Sequence, residues 1–183
     1  MRTPEVEVRW CKLLGQARPN KFDPSKPPTW EIEILLDNDN PEHVAFCDLI
    51  EGKFDELHPD QKKAAHWLPI KPDKEQPRKR MSCRMKLTEF TFRDGNKSEG
   101  PTIFDEYGKP WPEEKLIGNG STMVIGFSIY AWKAPSGAGL SLEPRAAQVK
   151  NWIAAPASNP TSAEDFGFET KPAPAAEPSS LPF

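Results

Sequence analysis

The sequence predicts a mainly β domain: a partly open, five- to six-stranded β-barrel of the OB type with one inserted α-helix, followed by a disordered acidic tail. Three observations carry this. Polar and apolar residues alternate in several stretches of the 183-residue chain, one stretch alone switches to spacings of three and four, and from about Ala154 no apolar period survives. A β-sandwich is the competing architecture.

The first strand lies in "PEVEVRWCKLL", where Val6, Val8 and Trp10 alternate with Glu7, Arg9 and Cys11. "GQARPNKFDPSKPPT" holds four prolines and a glycine and is a long loop. In "WEIEILLD", Trp30, Ile32, Ile34 and Leu36 face one side and Glu31 and Glu33 the other, which gives a second, half-buried strand. Next comes the helix. Asn40 is its cap, Pro41 suits its first turn, and Val44, Cys47, Ile50, Phe54 and Leu57 form its apolar face. A shorter helical piece is expected at "PDQKKAAHW", before the proline-broken, basic "LPIKPDKEQPRKR".

"RMSCRMKLTEFTF" resumes the strand period, with Met81, Cys83, Met85 and Leu87 opposite Ser82, Arg84, Lys86 and Thr88. "RDGNKSEGP" and "DEYGKPWPEE" are turns around a short strand "TIFD". "STMVIGFSIYAW" is a clear strand, and "LSLEPRAAQVKNWI" is the last one, interrupted near Pro144. The domain is therefore assigned to residues 1–153 and the tail to 154–183.

Composition narrows the function. With 24 Lys and Arg against 27 Asp and Glu, a protein that coats nucleic acid by bulk positive charge is excluded, and any anion-binding surface must be local. Three widely spaced cysteines fit a reducing cytoplasm better than a disulfide framework. No apolar run approaches a bilayer span and "MRTPEVEV" lacks a signal region, so a soluble, non-secreted protein is expected. No catalytic constellation has convincing spacing, so neither an enzyme nor a cofactor is expected. His43 and Cys47 could share a metal, but Cys47 sits on the apolar face and reads as a core cysteine. "GNGS", Gly118 to Ser121, lacks the lysine and helix of a phosphate loop and reads as a turn.

What stands out is cations interleaved with aromatics, in "VRWCK", "RPNKF", "PRKRMSCRMK", "TFRDGNK" and "YAWK". A groove that binds unpaired nucleic acid needs both: cations for phosphates and exposed rings on which bases stack. Lys12, Arg18, Lys21, Arg80, Arg84, Lys86 and Lys133 are the candidate phosphate contacts, and Phe22, Tyr130 and Trp132 the candidate stacking rings. Trp10 and Trp30 share a side with valine or isoleucine and are assigned to the core, Trp132 to the surface. The tail from Ala155 holds four acids and one lysine, and its exposed aromatics in "EDFGFE" and "LPF" suit a peptide that docks on a partner.

"WEIEILLDNDNPEHV", "IGNGS" opening an apolar strand, "IYAWK", "GAGLSL" and "AAQV", followed by an acidic tail ending in Phe183, resemble the single-stranded DNA-binding proteins of tailed bacteriophages, the group that includes the helix-destabilising protein of T7-like phages. The resemblance implies an OB-fold without metal or catalytic centre that binds single-stranded DNA in phage replication and recombination, in the cytoplasm of the infected host. It further implies a tail that contacts replisome proteins (DNA polymerase and helicase-primase) and shields the DNA groove, and a homodimer in many members. Carried onto this chain, Asp165, Phe166, Phe168 and Phe183 become the partner-binding element, while Tyr130 and Trp132 match the aromatic pair of the late strand. The tail is only mildly acidic, and its tip, with Leu181 and Pro182 before Phe183, is similar to that of bacterial single-stranded DNA-binding proteins. A strand-annealing mediator and a β-barrel adaptor that binds proteins alone are the alternatives.

Overall fold

Seven strands and one helix follow one another in residues 1–156, the part of the chain described by the computed structural model: β1 Val6–Lys12, β2 Thr29–Asp37, α1 Pro41–Leu57, β3 Ile70–Pro72, β4 Arg80–Thr88, β5 Thr102–Phe104, β6 Thr122–Ala134 and β7 Gly137–Asn151. β5 is the short strand expected at "TIFD", and the three-residue β3, in the stretch read as proline-broken, brings the total to seven. Most of the predicted tail, and every tail residue proposed to bind a partner, lies outside the described residues.

The strands form one sheet in the order β3-β4-β2-β1-β6-β7-β5, antiparallel except for the β5–β7 pair. β4 also packs against β7, two strands that share no ladder, so the sheet curls into a partly open OB-type barrel. Its interior takes the apolar half of each alternation: Val6 and Val8, Ile32, Ile34 and Leu36, Cys83 and Met85, Met123, Ile125 and Phe127, Leu140 and Leu142. Trp30 joins them, its indole N–H donating to the Gly15 carbonyl at 2.9 Å. β7 is bulged where the sequence breaks: Gly126 faces Ala146 and Phe127 faces Pro144, leaving Arg145 unpaired in the ladder.

α1 starts as the sequence predicts. The Asn40 side chain accepts the Glu42 N–H at 2.9 Å, and Pro41 occupies the first turn. The buried face differs from the expected one: His43, Phe46, Ile50 and Phe54 point inward, Cys47 is half-buried, and Val44 and Leu57 are exposed. The shift comes from Phe46, which meets Phe127 of β6 edge-on with ring centroids 5.8 Å apart. His43 serves the fold, its Nδ1 accepting the Asp37 N–H at 2.9 Å and its Nε2 lying 2.9 Å from the Glu5 carbonyl. Among the described residues no group of three or more His, Cys, Asp or Glu could hold a metal ion.

Two further expectations are corrected. The segment 59–67 forms no helix, because the Lys62 carbonyl and the Ala64 N–H are taken by Ala138 at the start of β7. Trp10 is not in the core: it is 61% exposed, because the register of β1 against β2 slips between Arg9 and Lys12. Among the described residues no helix is long and apolar enough to cross a membrane.

Candidate nucleic-acid interface

The outer surface of β1, β2 and β4 collects the polar half of their alternations. Ladder pairing sets Arg80 beside Asp37, Ser82 beside Leu35, Arg84 beside Glu33, and Lys86 beside Glu31; on β1, Arg9 faces Glu33 and Lys12 faces Glu31. The face therefore carries both charges, and what matters is which cations are already committed.

At the Arg80 end they are. Arg80 donates to Asp37 at 2.7 Å and lies 3.1 Å from Glu7. Arg9 donates to Glu33 at 2.6 Å and to Asp73, and stands 3.5 Å from Glu75. Asp73 and Glu75 follow β3, at the far edge of the sheet, so they meet Arg9 by reaching across β4 and β2. Leu35 and Ser82, which point outward from those strands, are 5% and 1% exposed in consequence. Burial acts to raise the Asp73 carboxyl, but the Arg9 guanidinium and backbone N–H groups of Gln76 and Glu75 hold it below the usual aspartate range. Hydrogen bonding to Glu33 raises Arg9 in turn.

At the other end the cations are open. Arg84 and Lys86 are exposed, and Arg84 has one carboxylate partner, Glu31. A groove of about 400 Å³ runs from the Arg9 cluster to Arg84: Arg9, Glu33 and Glu75 line one part of it and Lys12, Glu31 and Arg84 the other, with Lys71, Lys74 and Trp10 on its walls. Burial pushes the Glu31 carboxyl up, yet Arg84 and the Thr29 hydroxyl, 3.1 Å away, keep it below its ordinary value.

Aromatic rings continue the same line. Beyond Thr88 the chain runs on into a hairpin in which Phe92 N–H donates to Asn96 O and Ser98 N–H to Phe90 O, at 2.7 Å each. The period of two is kept, so Phe90 and Phe92 extend the outward row of Arg84, Lys86 and Thr88. They are 61% and 50% exposed and sit edge to face with centroids 5.3 Å apart. From Arg84 to Phe92 this row spans roughly 27 Å at the rise of a strand. The Arg18–Thr29 bridge brings the loop between β1 and β2 to this end as well, with Arg18 and Lys21 exposed and Phe22 97% exposed.

Six of the ten residues proposed for DNA contact thus gather at one end of one face: Lys12, Arg18, Lys21, Phe22, Arg84 and Lys86. Arg80 sits at the opposite end of β4. Tyr130, Trp132 and Lys133 lie on the β6–β7 hairpin, and β2 and β1 stand between β4 and β6 in the ladder. Tyr130 is 57% exposed opposite Ser141; Trp132 is half-buried, lying over Gly139, where a Cβ would come within 2.2 Å of its ring. The contacts named from sequence do not include Phe90, Lys71 or Lys74, nor Phe92, which stands in "TFRDGNK", and the alternation assigns Trp10 to the core. For the two phenylalanines the signal was present: the alternation of "RMSCRMKLTEFTF" simply continues two steps past Thr88.

No protein-family model matches the chain, and no curated protein matches it. Solved structures do. The chain is similar to gp2.5, a single-stranded DNA-binding protein encoded by bacteriophage T7, with a TM-score of 0.60 and 14% identity over 97% of this chain and 98% of that one. It is similar to the single-stranded DNA-binding protein of bacteriophage Enc34 in complex with single-stranded DNA, with a TM-score of 0.62 and 15% identity over 84% and 87% of the two chains. A further structure of the Enc34 protein aligns over 92% and 89%, with a TM-score of 0.60 and 14% identity. The chain shares its fold, over most of its length, with single-stranded DNA-binding proteins of bacteriophages.

Proposed function

We propose that the protein binds single-stranded DNA without strong sequence preference and keeps it unpaired and extended during phage DNA replication and recombination, inside the infected cell. The observation that carries this reading is the outward row of β4 and its hairpin. Arg84 and Lys86 lead into Phe90 and Phe92, with Lys12 and the Trp10 ring beside them. Cations at one end would neutralise phosphates while the rings offer π-faces to bases of any identity. The double helix buries those base faces, so the same surface favours unpaired strands, and binding shifts the pairing equilibrium without chemistry. The likeness to a phage protein whose structure contains single-stranded DNA supports the same reading.

In this reading Tyr130, Trp132 and Lys133 form a separate contact on the β6–β7 hairpin for a strand leaving the groove. The tail residues Asp165, Phe166, Phe168, Leu181, Pro182 and Phe183 recruit replisome proteins, DNA polymerase or helicase-primase, and a homodimer would present two tails.

The test is a tryptophan-fluorescence titration with oligothymidylate against a duplex of equal length, repeated across salt concentrations. Saturable quenching by the single strand, with a log–log salt slope of about −3 for four neutralised phosphates, is the expected result. Equal binding of duplex sinks the proposal. No binding of either favours the protein-only adaptor.

A further inference from the structure

We infer that Asn119 is a positioning residue for DNA binding: its side-chain carbonyl holds the Trp10 backbone in a left-handed conformation that presents the indole at the groove. This rests on the single-stranded DNA reading above. Between the pairs Arg9–Glu33 and Lys12–Glu31, β1 carries two residues, Trp10 and Cys11, against the single Ile32 of β2. The extra residue makes a β-bulge, and bulges re-aim side chains. Trp10 has φ +54°, the only positive φ among the described non-glycine residues. A bulky side chain is a rare occupant of that region and stays there only when its surroundings dictate it.

The surroundings are the "GNGS" turn. Asn119 Oδ1 accepts the Trp10 N–H at 2.8 Å, on the side of β1 that faces the turn. Just after Asn119 the turn is fixed to β1 by two backbone bonds, Gly120 N–H to Val8 O at 3.0 Å and Val8 N–H to Ser121 O at 2.9 Å. Gly120 takes φ +87°, and at Gly118 a Cβ would lie 2.5 Å from the Ala154 carbonyl, so both glycines let the turn sit tightly on its neighbours. The rigid turn thus brings the amide oxygen to the bulge. The result is a tryptophan that alternation would send into the core with Val6 and Val8, held instead on the wall of the groove.

Fluorine NMR of protein labelled with 5-fluorotryptophan tests this, combined with oligothymidylate affinity. The chain has six tryptophans, and loss of one line in Trp10→Phe assigns the Trp10 resonance. Asn119→Ala is expected to shift and broaden that line while the other five and the melting temperature hold. Asn119→Asp, which keeps the acceptor, is expected to retain it. Trp10→Ala should weaken binding roughly 5- to 150-fold, the range for one stacked base, and Asn119→Ala about 3- to 10-fold. In the Trp10→Ala background the Asn119→Ala loss should vanish. An unchanged Trp10 line, or losses that simply add, overturns the positioning role while leaving DNA binding intact. Failure of the unaltered protein to bind oligothymidylate overturns the functional reading and this inference with it.

Discussion

Arg9 and Arg84 stand on the same face of the same sheet, each beside Glu33 in the ladder, yet they are arranged for different work. Arg9 is 11% exposed and shared among Glu33, Asp73 and Glu75, so its charge is spent inside the protein. Arg84 is 62% exposed and holds one carboxylate. The contrast runs along the whole surface: the Arg80 end is neutralised and partly roofed by the segment after β3, while the Lys86 end is open and flanked by rings. A cation's residue type and strand parity do not tell which task it performs; the number of carboxylates it already holds does.

The contrast is broken most forcefully at the roofed end. Asp73→Ala leaves Arg9 without its most buried partner and is expected to cost about 3 kcal/mol of stability by urea denaturation, with the salt slope of DNA binding unchanged. Acid sharpens this. The folded-state Asp73 carboxyl lies below its ordinary value, so the unfolded chain takes up more protons as pH falls. The stability it contributes is therefore fully present above the ordinary aspartate range and is lost as pH drops through the lowered value. Asp73→Asn should flatten that part of the stability-versus-pH curve.

Phe90→Ala, at the open end, should lower affinity for oligothymidylate roughly tenfold without changing the salt slope, because it removes a stacking surface and no charge. Lys86→Ala should do the converse, weakening binding a few-fold and making the slope shallower by about 0.7. The smallest effect is expected at Arg80, whose pairs with Asp37 and Glu7 are partly exposed. Arg80→Ala should cost about 0.5–1 kcal/mol of stability and leave both affinity and slope alone. A slope change there as large as that of Lys86→Ala would erase the distinction between the two ends.

Much of this architecture could be read from local pattern. Period-two alternation located β1, β2, β4, β6 and β7, Asn40–Pro41 marked the helix start, and Pro144 marked the break in β7. What could not be read depends on residues distant in sequence. Trp10 leaves the core because of a bulge clasped by Asn119, 109 positions away. Leu35 is buried on the polar side of β2 because the chain after β3 crosses it, and 59–67 is not helical because Ala138 claims its backbone. Of the site, the cations of β4 were legible from parity. Their separation from Tyr130 and Trp132 by two intervening strands was not, since strand order is a property of the whole chain.

Glu31 gives the open groove a property that its cations alone would not. It is a resident counterion, tethered where a mobile one would diffuse away, and it sits on Arg84 with Lys86 and Lys12 across the ladder on either side. An incoming phosphate that takes Arg84 must first evict this carboxylate, an exchange of one anion for another with little net gain. In the proposed function a lone nucleotide would therefore gain little, whereas a strand would make the same exchange while its following bases settled on Phe90, Phe92 and Trp10. A groove that binds in this way would respond to length, disregarding free nucleotides and answering to the polymer.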